Sequence, residues 1–511
     1  MHTRVSTVNT HGLFSMFPMA AFYLAAFPLA WMVLAAVGSA SDSIANGRPN
    51  IVFVLTDDQG FGDISAHGNP ILKTPNLDRL RSESTRFSNF HVSPTCSPTR
   101  SALMTGRHEF KNGVTHTILE RERLTLQATT IAQVLQSSGY ATGIFGKWHL
   151  GDEDAYQPDR RGFDEVYIHG GGGVGQTFPG SCGDAPGNKY FDPAILHNGK
   201  FEKTQGYCAD LYFQQAKAWM DSRRTKKQPF FAMITTNTPH DPYIARPEDK
   251  ALYENKNLPT ATENFFGMIH NIDQNIGDLL DQLRAWGIEE RTLVIFMNDN
   301  GGTAGVQVFN AGMRGSKGTA WLGGTRANSF WRWPGTIQPN DCHALAAHID
   351  FFPTLAEIAG VAPSDTINQQ VEGISLVPFL KDPQSQTKDR MLFTHLGRWP
   401  KRADPNLWKY RMCAVLTSRW HLVSEKGAAE PKWELFDLQS DYSESKDVSD
   451  QHPAMVKELS NAFDQFWRES LSGMINEQAV GPTINPFQER YFREFGGSPS
   501  AEDMARMAPK N

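Results

Sequence analysis

The chain has 511 residues, enough for more than one domain, and its 40% hydrophobic and 20% charged content is typical of a folded globular protein. The formal net charge of -6 at pH 7 argues against a generally basic nucleic-acid-binding protein. A local positive site for an acidic substrate is compatible with this charge.

The first 40 residues are predicted to be a targeting segment. Arg4 is their only charged side chain, an apolar run covers residues 17–37, and small residues follow at positions 38–40. This pattern is typical of a secretory signal peptide over residues 1–40, and it predicts a secreted, periplasmic or otherwise exported protein. The alternative is an uncleaved membrane anchor, because the run approaches the length of a membrane span, although two prolines interrupt it and no basic stop-transfer cluster follows.

Four apolar runs have the pattern of strands buried on both faces of a sheet. They cover residues 49–55, 142–145, 230–235 and 293–297. Helix-like segments lie between them at residues 76–84, 127–138, 210–222 and 263–286. This alternation predicts a mostly parallel sheet with helices on both faces, in which ligands bind beyond the carboxyl ends of the strands.

Two pairs of oxygen-bearing side chains follow the first and the last of these strands: Asp57, Asp58, Asp299 and Asn300. Adjacent carboxylates repel each other unless a cation or a shared proton intervenes. An isolated Asp-Asp pair is more often a turn or a helix start. The second pair, at the end of another buried strand, favours a site for a hard cation such as Ca²⁺ or Mg²⁺, since these ions prefer oxygen ligands.

A cysteine motif occupies residues 96–100, C-S-P-T-R, and L-M-T-G-R follows at residues 103–107. Pro98 is expected to bend the chain into a helix, with Cys96 just outside the positive end of that helix, where an anion is stabilised. A lone cysteine is ordinarily a buried thiol. Here the two strings together resemble the signature of the type I sulfatases, and further motifs of that family recur over roughly residues 49–330.

The resemblance to the type I sulfatases implies a fold, a modified residue and a cofactor. The implied fold is an alkaline-phosphatase-like α/β/α sandwich with a mostly parallel central sheet, plus a smaller C-terminal α+β domain with an antiparallel sheet. Cys96 is expected to be oxidised to formylglycine (3-oxoalanine) by a formylglycine-generating or other sulfatase-maturating enzyme. The two oxygen-bearing pairs and the modified Cys96 are expected to hold Ca²⁺, with Mg²⁺ the less favoured ion.

Five cationic or imidazole side chains match the catalytic set of the family: Arg100, Lys147, His149, His240 and Lys317. Each one, taken singly, is typical of a solvated surface residue. The resemblance assigns sulfate binding to Lys147, His240 and Lys317. It also assigns to His149 the deprotonation of a hydroxyl of the formylglycine hydrate, and to Asp299 a part in activating the nucleophile.

One position departs from the family pattern. Family members commonly have E-G-G-x-R after the Lys317 motif, whereas residues 322–326 read L-G-G-T-R. The glycines and Arg326 keep the expected turn and a guanidinium. Leu322 leaves open what replaces the acid.

Two further predictions concern residues 170–206. The Gly, Pro and Asn content of this stretch predicts that it forms part of the wall around the substrate. Residues 169–175 are rich in glycine but lack the spacing of a phosphate-binding P-loop, so we predict a flexible rim loop there. Export would permit disulfides, and Cys182 and Cys208 are the favoured pair among the five cysteines, although the sequence alone does not establish connectivity.

The pattern changes after about residue 381. We predict a catalytic domain over residues 48–385, a C-terminal subdomain over residues 386–471 and a tail over residues 472–511. The subdomain shows strand patterns at residues 391–395, 411–416, 421–423 and 434–438 and a helix near residues 453–467.

Four residues of the subdomain have two possible roles: His395, Arg398, Trp399 and Trp408. They could line the mouth of the pocket, where aromatic faces suit sugar rings, or pack between the domains. The tail has no clear periodicity and is expected to wrap the surface or to be partly disordered.

The sequence thus predicts an exported, calcium-dependent sulfate ester hydrolase, arylsulfatase-like, whose natural substrate is a sulfated carbohydrate. Two alternatives stay open. One is a phosphodiesterase or phosphonate monoester hydrolase on the same scaffold, and the other is a non-catalytic sulfated-glycan-binding protein. No nucleic-acid partner is expected, and a membrane is a partner only if the N-terminal segment is uncleaved.

Overall fold

A computed structural model describes residues 48–178, 180–386 and 388–499 of the chain. The targeting segment predicted over residues 1–40 lies outside this range. Within the described range, every helix is too short or too polar to cross a membrane.

One large sheet organises most of the molecule. The strands of this part are β1 (Asn50–Thr56), β2 (Thr85–Phe87), β3 (Phe90–His91), β4 (Ala141–Lys147), β5 (Glu165–His169), β6 (Ala194–His197), β7 (Lys200–Lys203), β8 (Phe230–Thr235), β9 (Thr292–Asn298), β10 (Ser329–Arg332), β11 (Asn340–Cys342) and β12 (Ala346–Ala347). Strands β3 and β12 pair separately, and the other ten form one sheet in the order β11-β2-β10-β9-β1-β8-β4-β5-β6-β7. The central neighbours β9, β1, β8, β4 and β5 all run parallel, which confirms the predicted sheet.

Strand β1 shows how the sequence buries this sheet on both faces. Ile51, Phe53 and Leu55 belong to the hydrophobic core on one face, whereas Val52 and Val54 belong to the core on the other. Side chains alternate between faces along a strand, so an uninterrupted apolar run is what a doubly covered strand requires.

Helices cover both faces. They are α1 (Pro75–Ser82), α2 (Cys96–Thr105), α3 (Ile131–Ser137), α4 (Cys208–Thr225), α5 (Pro247–Ala251), α6 (Thr260–Ala285), α7 (Leu322–Thr325), α8 (Phe351–Ile358), α9 (Asp365–Gln370) and α10 (Val377–Lys381). Residues of α2, α3 and α8 pack in the core with Ile51, and residues of α1, α4 and α6 pack in the opposite core. The four predicted helices correspond to α1, α3, α4 and α6, with ends that differ by a few residues.

A second, antiparallel sheet lies C-terminal to the first. Its strands, in spatial order, are β13 (Leu392–His395), β14 (Cys413–Leu416), β15 (Trp420–Ser424) and β16 (Glu434–Asp437). Helix α11 (Pro453–Ser470) packs on this sheet and places Phe463 and Trp467 in one cluster with Val415 and Leu422. The smaller α+β part is therefore confirmed, while its boundaries at residues 386 and 471 stay predictions.

The four residues considered for the pocket mouth divide into two kinds. His395 and Trp399 are each 1% exposed and lie in an aromatic cluster with Phe110 and Trp467, so they are packing residues. Trp408 packs against the same cluster. Arg398 is the exception, since it is exposed and its Nη2 donates a hydrogen bond to Thr117.

The tail wraps back over the part of the molecule that contains the larger sheet, as one of the two expectations had it. Asn476 Nδ2 donates to the carbonyl oxygen of Gly113 at 2.9 Å. Asn485 is buried and its Nδ2 donates to Asp152 Oδ2, also at 2.9 Å. Helix α12 (Pro486–Phe495) follows and buries Phe487.

Candidate active site

The carboxyl ends of four adjacent parallel strands meet at one edge of the large sheet. Asp57 and Asp58 follow β1, and Asp299 and Asn300 follow β9. Lys147 ends β4, and His240 lies five residues beyond β8. Segments far apart in sequence therefore supply one crevice, as the strand pattern predicted.

Helix α2 brings Cys96 to the same crevice. Cys96 is the first residue of the helix, after the extended Thr95, and is 2% exposed. The prediction that it lies outside the helix was therefore wrong by one residue, because Pro98 needs no N–H partner in the first turn and does not delay the helix start. The Cys96 Sγ and carboxylate oxygens of Asp57 and Asp299 lie within 4.8 Å of one another.

Lys317 comes from a loop. Its backbone N–H donates to Gly302 at 3.1 Å, and the N–H of Gly318 donates to Pro94 at 2.8 Å. These bonds tie the loop both to the segment after β9 and to the segment before Cys96. The Lys317 Nζ consequently lies 2.6 Å from Asp58 Oδ1.

Three buried or nearly buried ion pairs fill the crevice: Lys147–Asp57 at 2.6 Å, Arg100–Asp299 at 2.8 Å and Lys317–Asp58 at 2.6 Å. Burial raises the pKa of Asp57 to about 7 in spite of Lys147. Burial and the neighbouring Asp57 raise the pKa of Asp299 to about 7 as well. Burial also opposes ionisation of Asp58, but Lys317 and His240 outweigh it and hold the pKa of Asp58 below its usual range. The three carboxylates are therefore crowded together, and burial opposes the ionisation of each of them.

The oxygen atoms of the crevice fit a hard cation. The buried Oδ1 atoms of Asp57 and Asn300 have no hydrogen-bond partner in the part of the chain that the structure describes. Orphaned oxygens of this kind are costly unless an ion or a water satisfies them. A divalent cation among oxygen ligands would satisfy them and would favour the ionised forms of Asp57 and Asp299.

Two histidines face the crevice in defined orientations. His149 Nε2 lies 2.7 Å from the carbonyl oxygen of Thr117, which can only accept, so the proton is on Nε2 and Nδ1 is the free base. Burial and Lys147 hold the pKa of His149 well below its usual value. His240 Nδ1 lies 2.6 Å from the carbonyl oxygen of Asp241, which leaves its Nε2 facing Asp58 Oδ2 at 3.8 Å.

Backbone strain accompanies these positions. Asp58 has a φ of 67° and His149 a φ of 61°, the left-handed region that non-glycine residues rarely adopt. Such strain is typical of functional sites, where surrounding contacts hold a residue in place.

The glycine-rich loop over residues 169–175, which we predicted to be a flexible rim loop, is largely buried. A Cβ on Gly172 would lie 3.4 Å from His149 Cε1, and one on Gly173 would lie 2.9 Å from His240 Nδ1. Asp184 holds the loop by accepting from the N–H of Gly175 at 2.7 Å. The contact at Gly172 is an ordinary one, whereas at Gly173 the lack of a Cβ lets the main chain pack closely on His240.

The predicted disulfide between Cys182 and Cys208 is wrong. All five cysteines are free and buried. Cys208 begins α4 and packs in the hydrophobic core, while the Cys182 Sγ lies 3.5 Å from His149 Nε2. The two residues share a loop-rich region of sequence but point into different parts of the structure.

Leu322 lies in an apolar cluster with Leu345, Leu392 and Leu416, which joins the two parts of the molecule. Its N–H donates to Glu444 Oε2 at 3.0 Å, so a carboxylate from the C-terminal part lies at the start of α7. Arg326 donates to the carbonyl oxygen of Ser88 at 2.9 Å. The departure at position 322 therefore changes packing behind the crevice rather than the crevice itself.

Comparison with known proteins identifies the family. The family model described as Sulfatase matches residues 49–361, and the model described as N-sulphoglucosamine sulphohydrolase, C-terminal, matches residues 324–469. The chain belongs to the sulfatase family.

Relatives of this sulfatase are similar over most of their length. Arylsulfatase A of Homo sapiens is 32% identical over 366 residues, which cover 68% of this chain and 70% of that protein. N-acetylgalactosamine-6-sulfatase of Canis lupus familiaris is 30% identical over 397 residues, or 72% of each protein. The crystal structure of Ps i-CgsB in complex with k-i-k-neocarrahexaose is 27% identical, with a TM-score of 0.73 over 90% of this chain and 99% of that chain. This sulfatase is therefore a sulfuric ester hydrolase with the expected alkaline-phosphatase-like fold.

Some neighbours of the crevice leave no trace in the sequence. Thr117 contributes a main-chain carbonyl oxygen to His149, and every residue type has one. Cys182 was predicted as a disulfide candidate within the stretch assigned to the substrate wall, and not as a neighbour of His149. The predicted site residues, by contrast, all meet at this one edge of the sheet.

Proposed function

We propose that this sulfatase hydrolyses sulfate esters of a carbohydrate, with the oxidised side chain of Cys96 as nucleophile and a calcium ion beside it. The observation that carries the proposal is that the Cys96 Sγ lies within 4.8 Å of carboxylate oxygens of Asp57 and Asp299. Lys147 and Lys317 lower the pKa of the Cys96 thiol although burial opposes them, so the position favours negative charge. The names of the relatives, which include an N-acetylgalactosamine-6-sulfatase, support a carbohydrate substrate.

The cation would be held by Asp57, Asp58, Asp299, Asn300 and the modified side chain at position 96. Calcium rather than magnesium follows from the family resemblance. When bound, a divalent cation offsets negative charge on the sulfate oxygens. Because Arg100, Lys147 and Lys317 already balance the three carboxylates in number, a bound cation makes the site positive overall.

The chain's own residues account for the attack on sulfur. Oxidation of Cys96 by a maturating enzyme gives an aldehyde, whose hydrate has two hydroxyl groups on Cβ. One hydroxyl passes its proton to Asp299 and its oxygen attacks sulfur, while Lys147 and Arg100 stabilise charge on the sulfate. The bond from sulfur to the alcohol oxygen breaks. His240 or Lys317 donates the proton with which the alcohol leaves.

His149 completes the cycle. The first step leaves a sulfate ester on Cβ beside the second hydroxyl. Nδ1 of His149 takes the proton of that hydroxyl, the C=O bond re-forms, and the C–O bond to sulfate breaks. Water then adds to the aldehyde and restores the hydrate. A serine at position 96 has no second hydroxyl and cannot eliminate sulfate in this way.

We also propose that the protein is exported and that residues 1–40 are removed. The single charge and apolar run of that segment support this. N-terminal sequencing of protein made in its native compartment tests it, and a chain that keeps the segment and stays in the membrane fraction would favour the anchor.

The reaction is tested with protein matured by co-expression with a sulfatase-maturating enzyme. Mass spectrometry of the peptide containing Cys96 gives the aldehyde fraction, and kcat/KM is measured for an aryl sulfate and for an aryl phosphodiester. We expect the aryl sulfate to be the better substrate and its turnover to rise in proportion to the aldehyde fraction. Faster phosphodiester turnover would support the phosphodiesterase alternative, and fully oxidised protein that binds sulfated glycans without turnover would support the binding protein.

A further inference from the structure

A cationic side chain of the C-terminal part reaches the rim of the proposed active site. Arg398 Nη2 donates to Thr117 Oγ1 at 3.1 Å. Thr117 is also the residue whose carbonyl oxygen lies 2.7 Å from His149 Nε2. One residue therefore separates the guanidinium from the proposed base.

The backbone around Arg398 is fixed against the catalytic part. The N–H of Arg398 donates to the carbonyl oxygen of Thr115 at 3.1 Å. Gly397 has a φ of 67°, and a Cβ there would lie 2.0 Å from the same oxygen. Arg121 Nη1 donates to the carbonyl oxygen of Trp399 at 2.7 Å. Arg398 is thus presented from a rigid loop, which lowers the entropy cost of using it to bind a ligand.

The charge of Arg398 is available to a ligand. The side chain is exposed and forms no ion pair with any residue in the described ranges. Lys401, three residues along the same loop, instead pairs with Glu120 at 2.6 Å. A guanidinium presents several donors in one plane, which suits sulfate and carboxylate oxygens.

His116 adds a neutral donor beside it. Its Nδ1 accepts from the N–H groups of Thr117 at 2.8 Å and Ile118 at 3.2 Å, so the ring proton is on Nε2. Nε2 has no hydrogen-bond partner in the part of the chain that the structure describes, and it is not sealed from solvent. Burial, Arg121 and Arg398 lower the pKa of His116 to about 2, so the ring stays neutral.

We infer that Arg398 and His116 form a subsite for an anionic group of the substrate other than the ester that is cleaved. The inference rests on the proposed function, because it places the cleaved sulfate at Cys96. The natural substrate is then a carbohydrate with at least two anionic groups, the second being a sulfate or a carboxylate. Arg398 provides one full positive charge for that second group, and His116 provides one N–H donor.

The test uses matured full-length enzyme and defined disaccharides that share one cleavable sulfate ester. Each disaccharide is prepared in three forms, with a second sulfate, with a carboxylate, or with neither. The measured quantity is the ratio of kcat/KM with the second group to kcat/KM without it. We expect the wild type to prefer at least one of the two forms that carry a second anionic group. In the Arg398→Ala variant this ratio should fall roughly tenfold to hundredfold, the range of a charge-assisted hydrogen bond.

Two further variants separate binding from folding. His116→Asn keeps an acceptor that can form an Asx turn with the N–H groups of Thr117 and Ile118 but removes the Nε2 proton, and it should lower the ratio by a smaller factor. Arg468→Ala removes an exposed arginine from α11 and should leave every ratio as in the wild type.

The possible outcomes are distinct. An equal loss on all three forms in Arg398→Ala would mean that Arg398 only supports Thr117, and would overturn the subsite. A wild type that shows no preference for either form with a second anionic group would overturn it too. If the wild type cleaves no sulfate ester at all, the proposed function fails. If it cleaves the form without a second anionic group and the ratios are the same in wild type and Arg398→Ala, only the subsite fails.

Discussion

The carbonyl oxygen of Thr117 lies 2.7 Å from Nε2 of His149, and this contact decides which ring nitrogen can act as a base. Nδ1 is left without a hydrogen-bond partner among the described residues and is buried. The protein thus determines the tautomer through a main-chain atom, whose role survives any side-chain substitution at position 117 that keeps the backbone in place.

The His149→Asn variant should stall after sulfur has been transferred. Asparagine tolerates the φ of 61° at this position, so the backbone is retained while the base is lost. We expect kcat to fall about 10²–10⁴-fold, the usual contribution of a general base. Intact mass spectrometry after mixing with aryl sulfate should show a sulfate ester on position 96, and a variant that loses kcat without any adduct would contradict the assignment of His149 to the second step.

The Cys96→Ser variant should behave in a related way, because it can form a sulfate ester but has no hydroxyl left for elimination. We expect it to accumulate the ester or to be nearly inert. Cys182→Ser, at a thiol 3.5 Å from His149, is the matched control and should still turn over. Full multiple-turnover activity of the Cys96→Ser variant would refute the mechanism.

Calcium should stabilise the folded protein, since its proposed ligands converge only in that state. At a concentration of 100 times Kd, a ligand stabilises by about 2.7 kcal/mol. Scanning calorimetry of chelator-treated protein should therefore show Tm rising by several degrees on addition of Ca²⁺, and rising less with Mg²⁺. Asn300→Ala should lose most of this shift, whereas Asn368→Ala, on the exposed helix α9, should keep it. Equal shifts in both variants would place the ion elsewhere.

Gly173→Ala should impair catalysis through His240. The added Cβ would lie 2.9 Å from His240 Nδ1 and 3.0 Å from the carbonyl oxygen of Asp241, so the loop or the ring must move. A displacement of about 1 Å can lower kcat/KM about 100-fold. Gly187→Ala is the control, because its Cβ meets nothing within 4 Å and only the positive φ of 70° is strained. Similar activity in the two variants would show that the loop does not position His240.

His395 should make the protein less stable in acid. Burial lowers its pKa to about 4 in the folded state, while an unfolded histidine titrates near 6.5. The unfolded state therefore binds the proton first, so stability is complete above pH 6.5 and is lost as pH falls towards 4, by about 1.4 kcal/mol per pH unit. His395→Gln should show a smaller fall in Tm between pH 7 and pH 5 than the wild type. An unchanged fall would assign the acid sensitivity to other buried histidines.

Leu322→Glu, which restores the common family residue, should destabilise this chain. Leu322 is 1% exposed among apolar side chains and lies beside Glu444, so a new carboxylate would be buried without a cation. We expect a cost above about 3 kcal/mol. Leu322→Met, a volume-conserving control, should cost less than about 1.5 kcal/mol. A Leu322→Glu protein as stable as the wild type in thermal unfolding would show that the acid finds a partner here.

Sequence patterns predicted the strand ends well because a doubly buried strand needs an apolar residue at every position. Asp57, Lys147 and Asp299 stand directly at or after such runs, so their convergence followed from the geometry of a parallel sheet. The role of Thr117 could not be predicted in this way, since it rests on a main-chain atom. The disulfide failed for a related reason, because spacing along the chain does not fix the direction of a cysteine side chain.

The buried position of Asn485 against Asp152 has a consequence for biosynthesis. Residue 485 lies far beyond Asp152 in the sequence, so this contact can form only after all the strands of the large sheet have been synthesised. Cys96, 2% exposed in the finished protein, emerges nearly 400 residues earlier. The proposed maturating enzyme would therefore have an interval in which to reach the thiol before the native packing shields it.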